Sequence, residues 1–319
     1  MDSRLERLRT LIVGPQVVMT TPFKEDYSVD LDGVRAQIRF MVEKGFVRGN
    51  ATIIVTGSVG ECNVLTESER QQIVKVAAEE AQGRATLFAG CNHSSTSVSV
   101  ELAKWAQQVG CDGVMVIPPY YWRPTDDEVI QHYSKISEAI NIGIMIYNNP
   151  FVTQVDLPIP MIERLAKLEN VVALKECTID IIKFDRCVRR FGDRIAVING
   201  NGEYFEPYAS MVGTPGFISN SAPYLPEVEF AMWDAIKAKD WERAKQLHIA
   251  MSPLFDFFWE VGAVGGTAWL LQLIKRGLQM AGLPVTTLCR MPATPVTEEY
   301  KRRFEHLVEE VRARAAAIK

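Results

Sequence analysis

Along the first 240 residues, short apolar and β-branched runs alternate with longer stretches whose apolar positions recur every three to four residues. The runs at 16–20 (QVVMT), 52–55 (TIIV), 86–89 (TLFA), 113–117 (GVMVI), 144–147 (IMIY), 171–174 (VVAL), 195–198 (IAVI) and 216–218 (GFI) are bounded by turn residues and read as strands. The stretches at 31–44, 67–81, 95–109, 126–140, 158–167, 179–191, 204–212 and 226–238 read as amphipathic helices. The strands are apolar at successive positions, so both of their faces are buried, as in parallel strands wrapped by helices. Eight such units predict an α/β fold of the (β/α)8, or TIM, barrel type; an open α/β sheet with a helical domain is the alternative. Beyond residue 240 the pattern is helical only, at 241–258, 267–281 and 297–317. A barrel at 1–240 with a C-terminal helical region at 241–319 is the expected organisation.

In such a barrel the chemistry sits at the C-terminal ends of the strands, so the residues closing each run are the informative ones. Thr56-Gly57-Ser58-Val59-Gly60-Glu61 closes the second, Pro118-Pro119-Tyr120-Tyr121-Trp122 the fourth and Tyr147-Asn148-Asn149-Pro150 the fifth. Lys175-Glu176 closes the sixth, Asn199-Gly200-Asn201-Gly202-Glu203 follows the seventh and Ser219-Asn220 the eighth. Lys175 follows Val171-Val172-Ala173-Leu174 with no turn residue, which sets its amine above an apolar interior. Burial there favours the neutral amine, the form that attacks a carbonyl to make a Schiff base. A lysine simply leaving the sheet for solvent is the alternative. Tyr147 ends the neighbouring strand and faces the same mouth, where a phenol can carry a proton or merely pack. The Gly57-Ser58-Val59-Gly60 turn offers converging N–H groups and a hydroxyl to a carboxylate, although a turn that only reverses the chain has the same sequence.

These residues in this order resemble the dihydrodipicolinate synthase and N-acetylneuraminate lyase family, pyruvate-type class I aldolases on a (β/α)8 barrel. The resemblance runs from Met19-Thr20-Thr21-Pro22-Phe23 to Gly216-Phe217-Ile218-Ser219. It implies that Lys175 is the Schiff-base lysine, Tyr147 the general acid/base, and Ser58 with the N–H of Val59 the carboxylate site. Tyr121 is then a relay tyrosine reaching in from a neighbouring subunit, with Tyr120 its interface partner, and Ile218 lines the pyruvyl pocket. Gly200 and Ser219 fall on the substrate-binding side of the rim. Glu203 stands where sialic-acid lyases place a polyol-binding glutamate, and without that likeness it reads as a solvated glutamate. Two positions depart from the pattern: Val59 replaces the second hydroxyl of the carboxylate turn, and Phe151-Val152 follow Tyr147-Asn148-Asn149-Pro150 where the synthases carry an arginine that grips the aldehyde's carboxylate. Tyr121-Trp122-Arg123-Pro124 is also similar to the 1-pyrroline-4-hydroxy-2-carboxylate deaminase branch. The expected function is a Schiff-base lyase acting on a 2-oxo acid with pyruvate as one partner. Dehydration or deamination of a 2-oxo or cyclic imino acid through the same lysine is the enzymatic alternative; an oxo-acid-binding barrel without turnover is the non-enzymatic one.

Composition narrows the field. The 319 residues are 47% hydrophobic and 23% charged, which suits a globular chain with a substantial core and excludes disordered or fibrous classes. A net charge of -4 without a basic block gives no footprint for nucleic acid or an anionic membrane. The six cysteines form no C-x-x-C pair, so neither a disulfide framework nor a zinc knuckle is indicated, and a reducing cytoplasm is the expected compartment. Residues 1–10 mix acids and arginines, and no apolar run is read as approaching the roughly 18 residues of a membrane span. His93, His132, His248 and His306 lack metal-ligand spacing, and His132 and His306 read as surface or half-buried helix residues. Asn199-Gly200-Asn201-Gly202 lacks the spacing of a dinucleotide loop and reads as a specificity loop, so neither metal nor cofactor is expected. The Tyr120-Tyr121-Trp122 aromatics point to a homo-oligomer, a dimer or tetramer. Phe255, Phe257, Phe258 and Trp259 read as helix packing or interface.

Overall fold

Eight parallel strands close into a barrel in chain order in the computed structural model, which describes residues 2–318. They are β1 Gly14–Val18, β2 Thr52–Val55, β3 Thr86–Gly90, β4 Gly113–Val116, β5 Gly143–Asn148, β6 Val171–Glu176, β7 Ala196–Asn199 and β8 Gly216–Ser219. Every strand residue is buried, as successive apolar positions require. The wrapping helices are α2 Leu31–Glu43, α3 Glu67–Ala81, α4 Thr96–Gln108, α5 Asp126–Ala139, α6 Ile159–Ala166, α7 Ile181–Phe191, α8 Tyr208–Met211 and α9 Pro226–Lys237; α1 Ser3–Leu11 precedes the barrel. Thr66 with Glu69 and Thr125 with Glu128 start α3 and α5 as capping boxes, so those helices begin where polar side chains satisfy the first N–H groups.

Two apolar clusters follow from strand alternation. One lies between strands and helices; the other fills the lumen with Val18, Ile54, Phe88, Met115, Met145, Tyr147, Ile198 and Ile218. Leu5, Leu8 and Ile12 join the lumen cluster, so α1 stoppers the base of the barrel. The sequence reading found no element there, because a short charged helix carries too few apolar residues to stand out. The stopper fits closely: a Cβ on Gly143 would lie 2.6 Å from a Leu8 methyl.

The C-terminal region is α10 Trp241–Met280 and α11 Glu298–Ala316. The two helices expected at 241–258 and 267–281 run together as α10, broken in geometry at Gly266, whose φ of 64° only glycine adopts readily. By length and composition α10 could cross a bilayer, contrary to the sequence reading. Much of it packs as protein core, however: Leu247, Met251, Leu254 and Phe257 join Phe304, Val308 and Val311 of α11 and Phe217 of β8 in one cluster. The helix expected at 204–212 is instead a 3-10 turn, Gly202–Tyr204, and the short α8, with Pro207, which has no N–H to give, between them. His132 is fully buried, not half-exposed; desolvation pushes it down to about 4, and its Nδ1 lies 2.9 Å from Thr96 Oγ1.

Candidate active site

Lys175 and Tyr147 are Cα partners across β5 and β6, and both strands run past them, so the two side chains sit inside the barrel wall and not beyond it. Lys175 alternates with Ala173 and Cys177, both lumen residues, and is only 5% exposed. Its Nζ lies 4.0 Å from the centroid of the Tyr147 ring. Among the described residues no carboxylate and no hydrogen-bond acceptor is paired with it. A ring face stabilises a cation weakly compared with a carboxylate. Burial pushes the neighbouring Cys177 thiol up to about 12, so it stays protonated and cannot compete as a nucleophile.

Asn149, to which the sequence reading gave no role, donates from Nδ2 to the Tyr147 hydroxyl at 2.7 Å, and its Oδ1 accepts from the Phe151 N–H at 3.0 Å. The phenol therefore receives a hydrogen bond and keeps its own proton free for a substrate. The signal was present in the strand-end Tyr-Asn-Asn-Pro, but only the turn into Pro150 shows which asparagine folds back.

The turn after β2 is tight. Thr56 and Glu61 have φ of 54° and 55°, and a Cβ on Gly57 would lie 2.9 Å from Val18 Cγ1. Thr21 Oγ1 donates to the Gly60 carbonyl at 2.7 Å and ties β1 to this turn. Ser58 and Val59 are half-buried; among the described residues their N–H groups and the Ser58 hydroxyl bond to no other group. Val59 packs on the lumen cluster and on the C-terminal cluster alike. The turn is anchored from the far end of the chain: Glu61 is ion-paired with Lys275 of α10, both buried, and its other oxygen accepts the Arg290 N–H at 3.1 Å.

Ile218 faces the lumen at the end of β8. Gly200 is a close-approach glycine: its N–H donates to the Glu176 carbonyl at 2.8 Å, and a Cβ would lie 2.4 Å from Cys177 Sγ. Glu203 is buried, not solvated. Its Oε1 accepts from the Ser219 hydroxyl, from the Ser221 N–H at 3.1 Å and from the Ser221 hydroxyl at 2.7 Å. Ser219 and Glu203 are thus bonded to each other at the β8 rim. Tyr120 packs on the lumen cluster of its own barrel, whereas Tyr121 and Trp122 are 77% and 69% exposed, edge to face. Phe151 and Val152 are exposed on the next loop. Among the described residues no cluster of histidine, cysteine and acidic side chains has metal-binding geometry.

The site therefore offers an unpaired buried amine, a phenol with a mobile proton and a turn of free donors, which together suit attack on a carbonyl beside a carboxylate. Comparison with known proteins agrees. Residues 12–311 match the Dihydrodipicolinate synthetase family. The chain is 31% identical over 299 residues to the 4-hydroxy-tetrahydrodipicolinate synthase of Chloroherpeton thalassium, covering 93% of this chain and 94% of that one. The dihydrodipicolinate synthase of Aquifex aeolicus superposes with a TM-score of 0.85 at 28% identity, covering 94% of this chain and 98% of that one. That of Acinetobacter baumannii, solved with pyruvate, gives 0.84 at 28% identity, covering 94% and 99%.

Proposed function

The chain belongs to the dihydrodipicolinate synthetase family and is a Schiff-base lyase of that kind, and from this premise we propose that it acts on pyruvate or a close 2-oxo acid through Lys175. The observation that carries the reading is the unpaired Lys175 amine, buried over the Tyr147 ring. The amine adds to the C2 carbonyl, and the carbinolamine loses water to an imine. Tyr147 protonates the departing hydroxyl and later takes or returns the proton at the bond being made or broken. The protonated imine draws electrons from C3, giving an enamine that attacks an aldehyde or, in reverse, receives the electrons of the cleaved C–C bond. The hydroxyl of Ser58 and the N–H groups of Ser58 and Val59 hold the carboxylate, Ile218 walls the pyruvyl methyl side, and Gly200, Glu203 and Ser219 shape the far rim. No metal or cofactor is invoked.

The second substrate follows from what stands on the β5 loop. Phe151 and Val152, 65% and 47% exposed, present apolar surface where a carboxylate-bearing aldehyde needs a guanidinium. The missing contact is worth about 1.5–3 kcal/mol, so the protein is a poor condenser of pyruvate with aspartate semialdehyde and prefers an aryl or short alkyl partner. Loss of water or ammonia from a 2-oxo or cyclic imino acid uses the same enamine. Tyr121 acts across a subunit boundary in a cytoplasmic dimer or tetramer. The test is borohydride reduction in the presence of pyruvate with peptide mass mapping, followed by assay of aldehydes for pyruvate release. Label at Lys175 with turnover is expected; label elsewhere or none removes the proposal, and label without turnover makes the barrel an oxo-acid binder.

A further inference from the structure

Behind the wall that carries Lys175 and Tyr147 lies a second cross-strand pair. Asn148 and Glu176 are Cα partners one residue further along β5 and β6, so their side chains project to the outside of the barrel, and both are fully buried there. Asn148 Nδ2 donates to the two Glu176 oxygens at 2.8 and 3.0 Å and to Asp156 Oδ1 at 2.9 Å, while Asn148 Oδ1 accepts the Leu157 N–H at 2.9 Å. The Asn148 carbonyl accepts the Cys177 N–H at 2.9 Å, and Glu176 accepts the Thr178 N–H at 2.8 Å. Lys183 of α7, ion-paired with Asp156, stands 3.8 Å from Glu176. The side-chain amide and the carbonyl of Asn148 are all bonded, and β5, β6, the loop into α6 and α7 meet in one knot.

The geometry points to Asn148 and Glu176 as positioning residues that lock the tips of β5 and β6 in register and thereby hold the Lys175 amine over the Tyr147 ring. This rests on the reading of Lys175 as the Schiff-base amine. The need is physical: both strands end at this pair, so the backbone ladder runs out where the reacting groups stand, and a misplacement of about 1 Å at a reacting group costs on the order of a hundredfold in rate. Burial pushes the Glu176 carboxyl up to about 7, with Lys183 and Asn148 pulling it down and Asp156 pushing it up; Cys187 of α7 also faces it. Protonation withdraws an acceptor from Asn148, so the knot loosens on the acid side of neutrality.

Two measurements on Glu176→Met, Asn148→Ser and the polarity-swapped Asn148→Asp/Asp156→Asn/Glu176→Gln test it. The first is the upfield ring-current shift of the Lys175 Cε protons, assigned by its loss in Lys175→Arg; the second is the first-order rate of pyruvate trapping at Lys175 under borohydride. The single variants lose the shift, and their trapping rate at saturating pyruvate falls about tenfold or more while half-saturation moves less than about threefold. The swapped triple variant, in which a carboxylate at position 148 accepts from amides at both 176 and 156 with donor and acceptor exchanged, regains both. A wild-type shift in all folded variants overturns the proposal, as does a lost shift with an unchanged trapping rate. Loss and regain of the shift in a protein that takes no pyruvate at all leaves the positioning role standing and removes the Schiff-base reading instead.

Discussion

Lys175 and Lys275 are both withdrawn from water, and what separates them is company. Lys275 meets Glu61, the Leu288 carbonyl and the face of Phe23, whereas Lys175 has only the ring of Tyr147. Removing one partner of a buried pair strands the other, at a cost of about 3–5 kcal/mol. Lys275→Met is therefore expected to lower stability by that amount in a denaturant titration, while Lys175→Met leaves the midpoint unchanged or raised and abolishes pyruvate trapping. Tyr147→Phe removes one hydroxyl and lowers turnover by about two to four powers of ten, read as kcat in steady state with the fold unchanged by circular dichroism. Near-normal kcat would transfer the proton to another group. The pairing of Lys175 and Tyr147 at neighbouring strand ends is legible in the sequence because a strand end is a local signal. The ties of Asn149, Glu61 and Glu203 are not, because each partner is fixed by how the loop turns or by a residue far along the chain.

At the scale of elements, the strands are readable to within about two residues because a run buried on both faces has sharp apolar limits, and Thr52–Val55 and Glu67–Ala81 coincide with expectation. What escaped are short pieces with few apolar residues: the α1 stopper, and the turn and stub of helix after β7. That rim gathers three buried glutamates, Glu203, Glu206 and Glu229. Ser221 touches Glu203 and Glu229 with one hydroxyl proton between them, and burial, then the neighbouring Glu203, pushes the Glu229 carboxyl well above the usual carboxylate range. Glu206 accepts from Asn199 Nδ2 at 2.6 Å and from Ser210, yet burial pushes it up to about 7 from an ordinary 4.5. The folded state thus binds a proton that the unfolded chain releases between those values. Its contribution is full below about pH 4.5 and is lost as pH rises through about 7, on the order of 3 kcal/mol. His132, held down at about 4, works in the opposite sense, adding stability above about 6.5 that is lost as pH falls. Glu206→Gln is expected to stabilise the protein at pH 8 and to flatten the decline in urea midpoint between pH 5 and 8; a decline of unchanged slope would place the proton elsewhere.

Seen whole, the molecule carries its two most exposed aromatics among the described residues, Tyr121 and Trp122, side by side on one loop. A second copy covering them is the expected arrangement, and sedimentation at micromolar concentration should show a dimer or tetramer; a lone 35.8 kDa species would remove both the assembly and any part for Tyr121 across it. The eightfold repeat of strand and helix made the barrel legible, but the dependence of its rim on α10 was not, since no local pattern announces an ion pair between distant segments. That pair also sets a schedule for the newborn chain. Glu61 leaves the ribosome 214 residues ahead of Lys275, and at roughly 5–20 residues per second the interval is about 10 to 40 s. Through that interval the turn proposed above to hold a carboxylate has its own buried carboxylate without the Lys275 counter-charge, which disfavours its settling into the rim. A chain truncated or stalled before Lys275 is therefore expected to leave this turn unanchored, so that the last sixth of the message sets when the rim is completed.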